Sequence, residues 1–472
     1  MKECNFGMLG LGVMGESFAL NLERNGCTVA VYERVEGVAK KFADDRAQGK
    51  NIVPSSSIKE FVGMLSRPRH IMLLIKAGQP VDNTITELLP FLEAGDLIID
   101  GGNSNFKDTE RREKDLSAKK INYFGMGVSG GEEGALWGPS MMPGGPLEAY
   151  QEVEPILKKV AAKAPEDGEP CVTYIGPRGS GHYVKMVHNG IEYGLMQIIA
   201  EAYDLLKRAL GLSVQDFQNL FTEWNKGKLQ SFLIEATVEV FKKIDPDTGK
   251  PLIDLILDKA AQKGTGAWTI EDAANIGSAI PTLGAALDAR IISSQKDERV
   301  EASKTLKGPS DSFPQAKKEE LIIAVSDAIY ASNICAYSQG MSLLRNASVE
   351  YNYNLNLKEI AKIWRGGCII RAALLNDIAK AFEERKDLPN LLLDKQFQTY
   401  INESKNGLRF TLKTAIDLGI PTPAMSASLA YYDSYRSEYL PANLIQAQRD
   451  LFGAHTFERI DIPETFHVNW QD

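Results

Sequence analysis

Apolar and polar positions follow two different rhythms along this chain. In the first stretch, short apolar runs alternate with amphipathic helical segments. Residues 6–10 form a short apolar strand that leads into a glycine-rich turn, an amphipathic helix runs to about Asn25, and residues 28–32 are apolar again. Residues 70–75 and 97–100 repeat the strand pattern, with helical stretches between. Such strand–helix alternation predicts a parallel sheet with helices on both faces. The Gly176-Pro177 break ends it, which gives an α/β region over 1–177.

From about Ser180 the rhythm becomes helical, and strand signals almost vanish. This second region, 178–433, is expected to be all-helical and to hold an internal duplication. Ile191, Leu205-Leu206 and Trp224-x-x-Gly227 recur as Ile329, Leu343-Leu344 and Trp364-x-Gly366. A polar tail, 434–472, follows; it is too short for a core of its own, so it is either a loose terminus or a segment that packs against something.

Composition narrows the functional classes. A chain of 472 residues implies two or three domains. Apolar residues make up 44% and charged residues 24%, which is globular usage and argues against disorder. No run of 18 apolar residues occurs, and the first residues, Met1 to Phe6, carry no apolar leader core, so no membrane association and a cytoplasmic location are expected. The five cysteines and five histidines are scattered without metal-ligand spacing, so no metal is expected. A net charge of −9 argues against nucleic acid as a partner, though a local basic pocket could still hold an anionic small molecule.

The glycine-rich turn is Gly10-Leu11-Gly12-Val13-Met14-Gly15, placed between a strand and a helix. That is the dinucleotide fingerprint of a Rossmann-like domain. The first glycine permits the turn, the second lets backbone approach a pyrophosphate, and the third lets helix and sheet pack closely. The helix N-terminus adds free N–H groups and a positive dipole end. At the end of the second strand stand Glu33, Arg34 and Val35. An acid there suits the ribose hydroxyls of NAD, while an arginine can pair with the 2′-phosphate of NADP. Local physics leans slightly to NAD.

The second chemical segment runs from Gly179 to Tyr193. Val184, Val187, Ile191, Leu195, Ile198 and Ala202 form an apolar helical stripe, and Lys185, His188, Asn189 and Glu192 share an adjoining arc. Those polar side chains should line a groove at the edge of the core. An ordinary pair of surface charges is the plain alternative. Against it, the second copy of the repeat carries Ile323 and Tyr330 where the first has Lys185 and Glu192, so the scaffold does not require the polar set. Gly190 and Gly194 inside a helix also imply close packing, because each costs about 1 kcal/mol relative to alanine. A desolvated lysine can act as a general base and a nearby carboxyl as an acid. His188 and Asn189 could orient a substrate, and His182 is read as structural.

With these residues in view, the chain resembles the 6-phosphogluconate dehydrogenases essentially from end to end. The resemblance rests on Gly10–Gly15, on 98–104 (Ile-Ile-Asp-Gly-Gly-Asn-Ser), on 127–132 (Gly-Val-Ser-Gly-Gly-Glu) and on 181–190. It continues in Lys263-Gly264-Thr265-Gly266-x-Trp268 and Gln448-Arg449-x-x-Phe452-Gly453-Ala454-His455. It implies oxidative decarboxylation of 6-phosphogluconate to ribulose 5-phosphate in the pentose phosphate pathway, with Lys185 as base and Glu192 as acid. It further implies that Asn103, Ser129, Gly130, Gly131, His188 and Asn189 hold the sugar acid, and that Tyr193, Lys263 and Arg290 bind its phosphate. Arg449 and His455 would reach that phosphate from the tail of a second subunit, so a homodimer is implied. Lys76, Ala77 and Gly78, with Asn103, match the family's cofactor loop. NADP is the implied cofactor, but the family usually has Asn-Arg and a small hydroxyl residue at 33–35. Glu33 and Val35 depart from that pattern and keep NAD use open. Two other readings compete: another 3-hydroxyacid dehydrogenase, which would be shorter and lack the tail, and a non-catalytic dinucleotide-binding redox sensor.

Overall fold

A computed structural model describes residues 3–310 and 312–470. They form two compact units, Met1–Ser428 and Leu429–Asp472.

Within the first unit, a sheet is built from β1 (Phe6–Leu9), β2 (Val29–Tyr32), β3 (Ile52–Pro54), β4 (His70–Leu73), β5 (Leu97–Asp100), β6 (Asn122–Ser129) and β7 (Ser140–Gly144). Their order is β3-β2-β1-β4-β5-β6-β7, parallel throughout except for the antiparallel β6–β7 pair. The order reverses between β1 and β4, which is where open α/β sheets bind ligands at the carboxyl ends of their strands. Two apolar clusters cover the faces, one around Phe18, Val31 and Phe124, the other around Phe61, Ile71 and Tyr123.

The strands expected from the pattern are present, and β3, β6 and β7 add to them. β6 carries Gly125 and Gly127, and β7 carries Pro143, residue types that weaken a strand signal. Packing explains the glycines. A Cβ added at Gly127 would strike Cβ of Lys185, so the glycine lets the Ser180–Leu210 helix lie directly on β6.

The rest of the first unit is helical. The Ser180–Leu210 and Lys318–Glu350 helices pack against each other, and Lys395–Asp417 packs on the second of them. The repeat anchors Ile191, Leu205, Leu206, Ile329, Leu343 and Leu344 are all buried on the two long helices. The Trp anchors differ: Trp364 is buried and Trp224 is only partly so. Among the described residues one helix, Gln315–Glu350, is long and apolar enough to cross a membrane; most of its apolar window is buried in the fold. Glu201 sits buried on the Ser180–Leu210 helix. Its carboxylate accepts the backbone N–H groups of Ala424 and Met425, at 2.7 and 2.9 Å, in the first turn of the Pro423–Tyr435 helix. Burial pushes this carboxyl up to about 7, against those hydrogen bonds.

The second unit holds the Ala442–Gly453 helix and a short hairpin, Phe457–Glu458 with Thr465–Phe466. It is organised around one carboxylate. Asp450 accepts the backbone N–H of Thr456 and of Val468 and the indole N–H of Trp470, and pairs with His467 Nδ1 at 2.8 Å. A buried polar hub thus does for this short segment what an apolar core does elsewhere.

Candidate active site

The Ser180–Leu210 helix carries the chemical cluster in its first four turns. Lys185 is 5% exposed and His188 fully buried, deeper than a groove edge. Lys185 Nζ lies 3.4 Å from His188 Nδ1, and Glu192 Oε2 lies 3.8 Å from the same nitrogen. On the other side of the ring, His188 Nε2 is 3.2 Å from Ser129 Oγ, at the end of β6. Asn189 donates to Asn103 Oδ1 at 3.4 Å and to Thr265 Oγ1 at 3.2 Å. Gly130 and Gly131 follow Ser129 with φ of 109° and 64°, and so bend the chain away from β6. Lys185, His188, Asn189, Glu192, Ser129 and Asn103 are therefore gathered in one place. His182 is buried elsewhere, its Nδ1 2.7 Å from Thr109 Oγ1.

Gly190 behaves as its helical position implied. A Cβ there would meet Thr269 Cγ2 at 2.8 Å, and Thr269 donates to the carbonyls of Met186 and Thr265. At Gly194 the corresponding contacts are of ordinary length, 3.6 Å and more, so close packing does not require that glycine.

Burial displaces the proton affinities of the cluster. It pushes the Lys185 ammonium below its ordinary value, against the pull of Glu192. It pushes the Glu192 carboxyl up, against Lys185 and Arg290. His188 is held well below its usual value by burial and by the Lys185 charge, so its imidazole is neutral. Nδ1 of that imidazole lies 3.1 Å from Asn189 Oδ1, an oxygen that only accepts, so Nδ1–H donates to it and Nε2 accepts from the Ser129 hydroxyl. A base and an acid thus flank one neutral, oriented ring.

Next to the cluster, Arg290 lies over the Tyr193 ring at 3.7 Å and donates to the Ala261 carbonyl at 2.9 Å. Lys263 lines a cavity of about 640 Å³ together with Lys76, Ala77, Gly78, Asn103 and Trp268. The loop expected at the cofactor and a lysine expected at the substrate phosphate therefore share one space. Arg449 and His455 are both exposed in the second unit, where Arg449 donates to Gln446 Oε1 at 3.0 Å.

At the glycine-rich turn, Gly10 has φ of 98°, and a Cβ on it would come within 2.5 Å of the Leu74 carbonyl oxygen. A Cβ on Gly15 would strike the Gly10 carbonyl oxygen. Gly12 has open space, and the Val13–Arg24 helix that it opens has no side-chain cap. Leu11 is buried, Met14 packs on the core and Val13 is exposed. These features fit a pyrophosphate taken up by free N–H groups. Glu33 Oε2 accepts the Leu11 N–H at 2.8 Å, and Oε1 accepts the Arg34 N–H. Arg34 Nη2 donates to Glu87 Oε1 at 2.7 Å and to Thr84 Oγ1 at 3.2 Å. Val35 is exposed and offers no donor.

Sequence reading missed Thr265 and Trp364. Thr265 holds the Asn189 amide, and buried Trp364 meets the His188 ring edge-on at 5.7 Å. Thr265 lies within a quoted motif and could have been suspected; nothing local marks Trp364 as a neighbour of His188.

Two family models match this chain. "NAD binding domain of 6-phosphogluconate dehydrogenase" covers residues 5–176, and "6-phosphogluconate dehydrogenase, C-terminal domain" covers 181–470. A decarboxylating 6-phosphogluconate dehydrogenase of Synechococcus elongatus is 57% identical over 98% of this chain and 99% of its own. The NADP(+)-dependent, decarboxylating enzyme of Bacillus subtilis is 53% identical, with both chains fully covered. The solved 6-phosphogluconate dehydrogenase of Plasmodium falciparum, described as apo, with NADP+ and with 6-phosphogluconate, superposes with a TM-score of 0.94 at 43% identity. That match covers 99% of this chain and 100% of the other.

Proposed function

Since the chain belongs to the 6-phosphogluconate dehydrogenase family, we propose that it oxidises and decarboxylates 6-phosphogluconate to ribulose 5-phosphate, with NADP as the acceptor. The observation that carries this reading is the pairing of Lys185 and Glu192 about His188, with the two proton affinities displaced towards each other.

Bound NADP supplies the hydride acceptor. Gly10 to Gly15 and the helix N-terminus would hold its pyrophosphate, Glu33, Arg34 and Val35 would face its adenine ribose, and Lys76, Ala77, Gly78 and Asn103 would line the space beside it. Neutral Lys185 takes the proton of the C3 hydroxyl as C3 gives up its hydride, which bound NADP would accept, and becomes a carbonyl. The Lys185 ammonium then polarises the C3 carbonyl, so that the electrons of the breaking C1–C2 bond have a sink and carbon dioxide leaves. Glu192 returns a proton to the enediol carbon. Asn103, Ser129, Gly130, Gly131, His188 and Asn189 orient the sugar acid, and Tyr193, Lys263 and Arg290 take the phosphate, which a guanidinium and an ammonium suit.

The enzyme is a homodimer in which Arg449 and His455, from the tail of a second subunit, complete the phosphate site. The chain divides into a dinucleotide-binding domain, 1–177, a helical domain built on a duplicated unit, 178–433, and the tail, 434–472. It works in the cytoplasm, a reducing compartment in keeping with the buried thiols of Cys27, Cys171, Cys335 and Cys368.

The test is initial-rate assay with 6-phosphogluconate and NADP or NAD, with trapped carbon dioxide counted. Reduced cofactor and carbon dioxide in equal amounts support the reaction. A folded protein that turns over neither cofactor overturns it.

A further inference from the structure

We propose that Glu87 sets the cofactor preference of this enzyme by competing with a 2′-phosphate for Arg34. The inference rests on the reading that a nicotinamide dinucleotide occupies the glycine-rich turn, and it names a residue of that site outside the motif at 33–35.

At the end of β2 the charges are already engaged. Both Glu33 oxygens accept backbone N–H groups, from Leu11 and Arg34. The carboxylate is thereby fixed over the turn and stays able to accept from ribose hydroxyls. Val35 adds nothing polar. That leaves the Arg34 guanidinium as the group at 33–35 able to pair with a phosphate dianion. It is turned towards the Gln79–Leu88 helix, where Glu87 and Thr84 take its Nη2. Thr84 Oγ1 donates to the Pro80 carbonyl at 2.8 Å, which leaves its lone pairs for Arg34.

The Arg34 and Glu87 side chains are 40% and 47% exposed. An ion pair of that kind is weak and screened, so a phosphate can break it. A phosphate must nevertheless displace the Glu87 carboxylate or sit beside its charge. NAD carries no 2′-phosphate and meets neither obstacle. Glu87 therefore penalises NADP selectively, in the same direction as Glu33, and lies more than fifty residues away in the chain.

The experiment is calorimetric titration of the intact protein with 2′,5′-ADP and with 5′-AMP, which differ in the 2′-phosphate and need no turnover. Glu87→Gln should bind 2′,5′-ADP about two- to five-fold more tightly and 5′-AMP unchanged, which also shows that the variant is folded. In the Arg34→Ala background the same substitution should have no effect. An unchanged or weakened 2′,5′-ADP affinity, an equal gain for both nucleotides, or a gain that survives without Arg34 each overturns the proposal. A protein that binds neither nucleotide removes the dinucleotide reading itself, and is told apart because the wild type fails as well.

Discussion

Lys185 Nζ lies 3.4 Å from His188 Nδ1, and both side chains are buried. Glu192 Oε2 approaches the same nitrogen to 3.8 Å. Three titratable groups on one helix arc thus share one ring atom, and they take up and release protons as a coupled set rather than singly.

From this follows the first prediction. Lys185→Met and Glu192→Gln should each lower kcat by about 10²–10⁴-fold, the usual worth of a general base or acid. NADP affinity, set at the glycine-rich turn, should stay within about two-fold, since those residues carry none of the pyrophosphate-binding N–H groups. Steady-state kinetics beside a fluorescence titration separates the two effects.

The pH profile has a definite sign. The active form needs Lys185 neutral and Glu192 protonated. Deprotonating the lysine raises the rate as pH climbs, and deprotonating the glutamate lowers it. Burial shifts the lysine down and the glutamate up, and so enlarges the fraction that holds both states at once. The wild-type kcat profile should be bell-shaped, and Glu192→Gln should lose its alkaline limb. An alkaline limb retained at the same position in that variant would refute the role of Glu192.

Two glycines on the same helix should respond in opposite directions. Gly190→Ala gains about 1 kcal/mol of helix propensity but drives a methyl group against Thr269. Overpacking of about 1–3 kcal/mol should leave it equal to or less stable than wild type. Gly194→Ala meets contacts of ordinary length and should gain about 0.5–1 kcal/mol. Urea unfolding midpoints measure both.

Glu201 gives a stability test. Its carboxyl stands at about 7 in the folded chain, above the ordinary 4.5. The folded state therefore holds this proton more tightly than the unfolded state does. Its contribution to stability is fully present below about 4.5 and lost as pH rises through about 7. The difference in unfolding free energy between wild type and Glu201→Gln should shift against the wild type from pH 5 to pH 8. A difference independent of pH would contradict the assignment.

The tail offers a local probe. Hydrogen bonds from Trp470, His467 and the backbone overcome the burial of Asp450 and hold its carboxyl down at about 2. Asp450→Asn should leave the sheet domain untouched and speed amide exchange and proteolysis over 454–470. Unchanged protection there would mean that the hub does not organise the segment.

Much of this was legible in advance. Four of the seven sheet strands and the start of the long helix at Ser180 follow from periodicity. The Gly10–Gly15 turn follows from a motif whose steric demands are local. The arc of Lys185, His188, Asn189 and Glu192 also follows from helical spacing, because residues three and four apart share a face whatever surrounds them. β6 and β7 escaped because their glycines admit the helix that lies on them, and tertiary packing overrides propensity. The ordered tail escaped because its organiser is a hub of polar contacts, which leaves no apolar period to read.

The sequence by itself determined which residues could do the chemistry and the order in which the elements come. Only the tertiary structure decided how deeply Lys185 is buried, that Glu33 is tied to Leu11, and that Arg34 is turned towards Glu87. The physical reason is that periodicity and turn chemistry act over a few residues. Desolvation and charge pairing instead depend on groups brought together from distant parts of the chain, such as Ser129 with His188 or Arg34 with Glu87.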